Sequence, residues 1–130
     1  MHAIAFQGIS KRFGPVVALN PTTLEIEGGE FVTLLGPSGS GKTTLLNIAA
    51  GHLAPSAGRV VIGARDVTGL PARRRNIGMV FQSYALFPHL DVSENVAYGL
   101  RARHVDRAEI VRRVADALAM VQLEGYGPRA

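Results

Sequence analysis

The sequence contains no cysteine, and no stretch approaches the ~20 apolar residues that a membrane-spanning helix needs. Without cysteine the chain can form no disulfide bond, no thiolate metal site and no cysteine nucleophile. Residues 1–7 have no basic segment followed by an apolar run, which a secretory signal would need. We therefore expect a cytoplasmic protein whose contact with any membrane goes through partner proteins.

Aromatic residues are also scarce, and none is interleaved with the densest basic cluster, which is Arg73, Arg74 and Arg75. Proteins that bind single-stranded nucleic acid combine positive charge with aromatic rings on which bases stack. The net charge of +4 is therefore weak evidence for such a partner. We interpret the three arginines as a solvated loop or a short helical turn, and we expect no nucleic-acid partner.

Residues 36–43 read G-P-S-G-S-G-K-T and fit the pattern G-x-x-x-x-G-K-[ST], which is typical of phosphate-binding loops. Glycines let consecutive backbone N–H groups surround an anion, and the N-terminus of a following helix favours negative charge. Lys42 can then reach the β- and γ-phosphates, and the Thr43 hydroxyl can bind the Mg²⁺ between them. The expected nucleotide-binding residues of this segment are Gly36, Pro37, Ser38, Gly39, Ser40, Gly41, Lys42, Thr43 and Thr44.

The alternative interpretation of this segment is a glycine-rich turn with an incidental lysine. Two observations favour the phosphate loop. Lys42 is one of only two lysines, the other twelve cationic residues being arginine. A β-prone run at residues 31–35 and a plausible helix at residues 44–50 also flank the loop in the order strand, loop, helix that the pattern requires.

Short β-prone runs separated by glycine, proline and asparagine predict an antiparallel β layer. The predicted strands are residues 3–9, 12–18, 22–27 and 59–62. Two further apolar runs, residues 31–35 and 76–81, predict strands of a nucleotide-binding core.

Helices are predicted where an aspartate is followed three residues later by glutamate, the spacing of a capping box. They begin near Asp91 and Asp106, and Gly51 is placed to cap the helix of residues 44–50. The last helix has one apolar face and one charged face. The apolar face holds Ile110, Val114, Leu118 and Val121, and the charged face holds Arg112, Arg113 and Asp116.

Three segments outside the loop resemble the ATP-binding subunits of ABC transporters, particularly importers of the polyamine, ferric-iron and sugar uptake type. They are residues 11–14 (K-R-F-G), 28–30 (G-G-E) and 76–90 (N-I-G-M-V-F-Q-S-Y-A-L-F-P-H-L). The last segment is highly specific, and the resemblance extends along essentially the whole chain. It implies ATP and Mg²⁺ as cofactors.

The resemblance implies an α/β fold: an incomplete P-loop NTPase (RecA-like) core with an N-terminal antiparallel β layer and the start of the ABC helical subdomain. It assigns residues 1–30 and 58–75 to the β layer and residues 31–57 and 76–82 to the partial core. Residues 83–130 are assigned to the helical subdomain.

By the same resemblance, Phe13 matches an aromatic residue that stacks on adenine, and Ala18 matches a small position beside the ribose. Gln82 matches the glutamine that contacts Mg²⁺ and couples nucleotide state to the transmembrane subunits. The residues that match a permease-contacting surface are Ser83, Tyr84, Phe87 and Pro88. Without the resemblance, Phe13 could instead be a core ring, and the aromatics after Gln82 could seal the helical subdomain. His89 matches no catalytic position, and we interpret it as a packing or surface residue.

In the family, an L-S-G-G-Q segment, a metal-binding aspartate, a catalytic glutamate and a switch histidine follow, and none of these occurs in the 130 residues. We expect the N-terminal half of such an ATPase, which binds Mg-ATP weakly and does not hydrolyse it. Permease subunits and a second ATPase subunit are the implied partners, at the inner face of the membrane. The apolar residues expected to face an incomplete core are Leu34, Leu45, Ile48 and Val80.

Two other functions remain open from the sequence. One is a non-hydrolytic nucleotide-binding module that docks on an ABC complex through residues 83–90. The other is a small phosphate-loop kinase, which would need an acceptor-binding lid that no segment suggests. No residue identifies a transported solute, so polyamine, iron and sugar all remain possible.

Overall fold

The structure, a computed structural model, describes residues 2–83 and 85–130 of the chain. These residues form two compact units, of which the first ends at Met79 and the second begins at Val80. Within the described ranges, no helix combines the length and the apolar character needed to cross a membrane.

The first unit contains an antiparallel sheet with the strand order β2-β1-β3-β4. The strands are β1 (His2–Phe13), β2 (Val16–Glu27), β3 (Ala57–Ile62) and β4 (Arg65–Asp66). The prediction of a separate strand over residues 12–18 is wrong, because the two-residue turn at Gly14 and Pro15 pairs Phe13 with Val16. The three predicted runs are thus two long strands of one hairpin, whereas the strand predicted at residues 59–62 is confirmed as part of β3.

Helix α1 (Lys42–Ala50) packs one face on this sheet. Leu45 and Ile48 are buried, so the expectation that they face an incomplete apolar layer is wrong. Leu34 is partly buried against the same cluster, whereas Val80 is 93% exposed. The core cluster consists of Phe6, Ile9, Leu19, Leu45, Ile48, Ala49, Val60 and Val67. Burying one such large aliphatic or aromatic side chain contributes about 1.5–3 kcal/mol, so this cluster is the main attachment of α1 to the sheet.

The two predicted core strands, residues 31–35 and 76–81, are not strands in the described structure. Neither segment joins a ladder with another described strand. Phe31 and Leu35 are 94% and 89% exposed, while Leu34 between them packs on the core. Both segments were predicted as strands because they are apolar runs, but a strand also needs a neighbour for its backbone hydrogen bonds.

The C-terminal end of α1 is closed by Gly51 and Arg75. The Gly51 amide, at φ 89°, donates to the carbonyl oxygens of Asn47 and Ile48, as predicted for a cap. Arg75 follows a short 3₁₀ turn (Ala72–Arg74) and is only 6% exposed. Of the two interpretations of the arginine cluster, the short helical turn is confirmed, with Arg73 and Arg74 exposed in it. A solvated position is wrong for Arg75, which is buried. Burial lowers the pKa of Arg75 from its ordinary value, although a guanidinium remains charged.

The second unit contains α2 (Val92–Ala102) and α3 (Arg107–Met120). The predicted capping box at Asp91 is confirmed: its carboxylate accepts from the Glu94 amide at 2.8 Å, and the Glu94 carboxylate accepts from the Asp91 amide at 2.9 Å. Asp106 is the N-cap of α3, but its side chain forms no capping bond within the described part of the chain. Glu109, which would complete that box, is bound instead by Arg112 and Arg113.

Helix α3 buries the predicted apolar face against α2, with one exception. Ile110, Val114 and Leu118 form a cluster with Ala97 of α2. Val121 was expected on this face but is exposed, because the helix ends at Met120 and the backbone turns there.

A substitution at Gly51 tests the closure of α1. A Cβ at Gly51 would lie 2.8 Å from the Ala72 amide nitrogen and 2.8 Å from Arg75 Nε, at a left-handed φ. We expect Gly51→Ala to destabilise the first unit by about 2–4 kcal/mol, the sum of left-handed strain and overpacking. Hydrogen exchange of the Leu45 and Ile48 amides measures this loss.

Gly69→Ala is the matched control, because a Cβ at Gly69 would meet no described atom within 4 Å. This variant should change the exchange of the same amides by less than about 0.5 kcal/mol. Equal effects of the two substitutions would contradict the account.

The charged face of α3 has a defined pH dependence. Hydrogen bonds from Arg112 first, then Arg113, lower the pKa of Glu109 from 4.5 to about 2. The folded pKa lies below the unfolded one, so the stabilisation is complete above about pH 4.5 and is lost as the pH falls through about 2. We expect Arg112→Gln to raise the pKa of Glu109 and Arg107→Gln to leave it unchanged. Titration of the Glu109 carboxyl by NMR measures both, and an unchanged pKa in Arg112→Gln would refute the assignment.

Candidate nucleotide-binding site

The segment of residues 36–43 forms a tight loop that leads directly into α1. Gly39 and Gly41 have φ of 84° and 94°, which glycine adopts without strain. Gly41 is the N-cap residue of α1, and no acidic residue lies in the first turn. Glycine offers no side-chain oxygen to the first-turn N–H groups, so these donors remain available for an anion.

Gly41 is also the point where the loop meets strand β2. A Cβ at this position would lie 2.8 Å from Leu19 Cδ1 and 3.0 Å from the Ala18 carbonyl oxygen. The close approach therefore requires glycine for space as well as for φ. It brings Ala18 beside the loop of residues 36–43, and the predicted position of Ala18 beside a ribose stays a prediction.

The Lys42 ammonium group lies across the loop. Nζ donates to the Pro37 carbonyl oxygen at 2.9 Å, to the Ser40 hydroxyl at 3.2 Å and to the Gly36 carbonyl oxygen. A Cβ at Gly36 would lie 2.8 Å from Ser40 Oγ, so this glycine leaves room for the Ser40 hydroxyl. All these bonds are exposed, so anionic oxygens can replace the neutral acceptors.

A cleft of about 590 Å³ lies between β2 and the loop, which is a usual size for a small-molecule site. Its lining combines apolar side chains of β2 with Lys42 and Thr43 of α1. The cleft is lined by Val16, Val17, Ala18, Ser38, Gly39, Gly41, Lys42, Thr43 and Thr44. The sequence analysis did not select Val16 and Val17; the only signal was their position directly after a Gly-Pro turn.

Phe13 ends β1 and is 52% exposed, so it is not a core ring. Lys11 Nζ lies 5.1 Å from the centroid of this ring and donates to the Ala54 carbonyl oxygen at 2.8 Å. The lysine thus fixes one end of the hairpin while its charge contacts the ring. A half-exposed ring held in this way is able to stack on a planar ligand.

The second unit contains the other predicted site residues. Gln82 and Ser83 are exposed in a turn, and Tyr84 lies outside the described residues. The Asn95 side chain accepts from the Phe87 amide at 2.9 Å and donates to the Asp91 carbonyl oxygen at 2.9 Å. The roles of these residues in metal binding and permease contact stay predictions.

Phe87 supports the interpretation that the aromatic residues after Gln82 seal the helical subdomain. Its ring lies 4.3 Å from the ring of Tyr98, so it helps to seal α2. It is nevertheless 37% exposed, and the neighbouring Pro88 and His89 are exposed as well. The segment therefore presents a rigid, partly apolar surface.

The donor chemistry at the loop fits Mg²⁺. Thr43 is exposed within the cleft and offers a hydroxyl oxygen, a hard donor that suits this cation. Mg²⁺ commonly keeps several waters and binds substrate phosphates together with only one or two protein oxygens. Residues 2–83 and 85–130 contain no group of three or more His, Cys, Asp or Glu that could hold a metal without such phosphates.

Comparison with known proteins gives one consistent result. A family model described as ABC transporter matches residues 19–129. The spermidine/putrescine import ATP-binding protein PotA of Rubrobacter xylanophilus is 52% identical over 127 residues, covering 98% of this chain and 34% of the relative. The Fe(3+) ions import ATP-binding protein FbpC 1 of Rhizobium meliloti is 50% identical over 127 residues, covering 98% and 36%. The chain spans about a third of the length of these relatives.

A solved structure has the same fold. It is a dimeric, post-hydrolysis state of an ATP-binding cassette bound to ADP and Pi. The TM-score is 0.85 at 32% identity, and the match covers 97% of this chain and 60% of that chain.

Two glycines of the loop allow a matched test of the contact with β2. Gly39 and Gly41 both have positive φ, but of these two only Gly41 has described atoms within 4 Å of its missing Cβ. We expect Gly41→Ala to destabilise the first unit by about 1–3 kcal/mol more than Gly39→Ala, the usual range for overpacking. Exchange of the Leu45 amide, which donates to the Gly41 carbonyl oxygen at 2.9 Å, measures the difference. Equal destabilisation would show that β2 does not contact the loop at this point.

Proposed function

The chain belongs to the ABC transporter family, and we propose that it is the nucleotide-binding part of a subunit that couples ATP hydrolysis to solute import. Its fold is the P-loop fold of an ATP-binding cassette, with an antiparallel β layer, a partial core and the start of the helical subdomain. The relatives are named for polyamine and ferric-iron import. We propose that the solute imported here is a polyamine, ferric iron or a sugar.

The observation that carries the proposal is the cleft beside α1, in which Lys42 and the loop glycines lie against Ala18. We assign the phosphates to the loop, the ribose to the side of Ala18 and the adenine to the exposed ring of Phe13. The hydrogen bonds that Lys42 donates to protein acceptors support the placement of the phosphates at the loop. Phosphate oxygens carry full charge, and charge-assisted hydrogen bonds are roughly twice as strong as neutral ones, so the ammonium exchanges its neutral acceptors for phosphate.

Mg²⁺ would offset the charge of the β- and γ-phosphates, and we propose that the Thr43 hydroxyl is one of its ligands. The Thr43 side chain lies in the cleft beside Lys42. Gln82 has an exposed amide, and its role as a Mg²⁺ ligand stays a prediction of the resemblance.

The second unit is proposed to contact the permease subunits of a transporter at the inner face of the membrane. The proposed surface consists of Ser83, Tyr84, Phe87 and Pro88. Asn95 accepts from the Phe87 amide and donates to the Leu90 carbonyl oxygen, so it holds the backbone on both sides of Pro88. A backbone held in this way loses less conformational entropy when it binds. A second ATPase subunit is the other proposed partner, and the solved cassette is itself a dimer.

We propose that the 130 residues bind Mg-ATP weakly and do not hydrolyse it alone. The residues that line the cleft in the described structure include no aspartate or glutamate. Hydrolysis needs a group that orients water against the γ-phosphate, and no residue of the lining performs this function. The same observation fits a non-hydrolytic regulatory module, which a nucleotide-dependent pulldown of permease by this chain would favour.

Calorimetric titration of the chain with ADP and Mg²⁺ tests the assignment of the site. Replacing Lys42 removes charge-assisted bonds to phosphate, so Lys42→Gln should weaken binding by about 10- to 100-fold. Arg74→Gln removes the same charge from an exposed position and should have no effect. Equal affinities for the two variants would overturn the assignment.

Release of inorganic phosphate from ATP by the same protein tests the second half of the proposal. We expect binding without measurable turnover. A rate comparable with that of an intact transporter ATPase would overturn it.

A further inference from the structure

The residues of α1 themselves favour a helix only weakly. It contains nine residues, of which Thr43, Thr44 and Ile48 are β-branched and Asn47 also has low helix propensity. Helices of this length are marginal in isolation. Its N-terminus has no side-chain cap, and its last turn contains no basic residue of its own.

Arg75, which lies outside α1, supplies hydrogen-bond donors and a positive charge to the last turn of that helix. One guanidinium nitrogen donates to the Ile48 carbonyl oxygen at 2.7 Å and to the Ala49 carbonyl oxygen at 3.2 Å. Both carbonyls belong to the last turn of α1. The Ile48 oxygen also accepts from the Gly51 amide at 3.2 Å, whereas no further amide of α1 can reach the Ala49 oxygen. A cation at this end also interacts favourably with the helix dipole.

The other guanidinium nitrogens of Arg75 connect α1 to the sheet. Nε donates to the Leu70 carbonyl oxygen at 2.9 Å, and the second terminal nitrogen donates to the Thr68 carbonyl oxygen at 3.1 Å. The Thr68 hydroxyl accepts from the Val60 amide of β3 at 2.9 Å and donates to Asp66 at 2.7 Å. A continuous chain of hydrogen bonds thus runs from β3 through Thr68 and Arg75 to the end of α1.

We propose that Arg75 is a positioning residue for nucleotide binding: it fixes the axial position and direction of α1, and thereby the phosphate loop at the opposite end of that helix. The inference rests on the proposed function of the loop. It assigns the buried arginine a role beyond stability, because a helix of nine residues transmits a displacement of its last turn to its first. Gly51 permits this arrangement, since a Cβ there would lie 2.8 Å from Arg75 Nε.

The test compares Arg75→Met and Arg75→Lys with Arg74→Met and Arg74→Lys, the exposed neighbours in the same turn. Methionine keeps much of the aliphatic stem and loses all the donors. Lysine keeps the charge but has a single nitrogen, which cannot reach four carbonyl oxygens on both sides. Arg75→Lys therefore remains informative if Arg75→Met does not fold.

The first measurement needs no nucleotide. Amide chemical shifts in a ¹⁵N-labelled protein should change at Gly39, Gly41 and Lys42 in the Arg75 variants as well as around Ile48 and Thr68. A purely structural contact would change only the shifts near Ile48 and Thr68, and that result overturns the inference even if the protein binds nucleotide.

The second measurement is the affinity for ADP and for AMP, at a temperature where variant and parent have the same far-UV circular dichroism. ADP should bind Arg75→Lys about tenfold more weakly, as is typical when a group that orients a ligand-binding element from behind is lost. AMP lacks the β-phosphate that Lys42 would hold, so its affinity should fall much less. Equal losses for both ligands, or no loss for ADP, would overturn the inference. Absence of ADP binding by the unmodified chain would overturn the proposed function. The amide shifts are measured without nucleotide, so they test the positioning role of Arg75 independently of that outcome.

Discussion

The constraint on the first unit is that helix α1 must be held in place although its N-terminal amides bond to no capping side chain. An anion can bind those amides only if no side chain caps them, and Gly41 provides none. The fixation of α1 must therefore come from its buried face and from its C-terminal end. Leu45 and Ile48 supply the first, and Gly51 together with Arg75 supplies the second. The N-terminus of α1 can remain uncapped because the buried face and the C-terminal end hold the helix in place.

The same constraint explains where glycine is needed. Gly41 and Gly51 lie at the two ends of α1, each at positive φ and each within 3 Å of a neighbouring segment at its missing Cβ. The first contact places β2 beside the phosphate loop and forms one wall of the cleft. The second places the turn before Arg75 against the end of the helix. Both contacts set the position of α1 relative to the sheet, so the shape of the cleft depends on backbone packing as much as on the residues that line it.

Much of the site was predictable because the residues that form the loop are close together in the sequence. The glycine and lysine spacing predicted the loop, and the Asp91 and Glu94 pair predicted the start of α2. Arg75 was missed because its acceptors are carbonyl oxygens up to 27 residues away, which no local pattern reveals. Residues 31–35 were predicted as a strand because the run is apolar and β-prone, whereas a strand also requires a neighbouring backbone. Val16 and Val17 were missed because only the hairpin register places them beside the loop.

The most direct test of the central claim is a titration of the ¹⁵N-labelled chain with ADP and Mg²⁺, followed through its amide chemical shifts. A helix N-terminus that receives phosphate predicts the largest changes at residues 39–44, with smaller changes at residues 16–18 across the cleft. Binding whose largest shifts fall in α2 and α3, with residues 39–44 unchanged, would contradict the account.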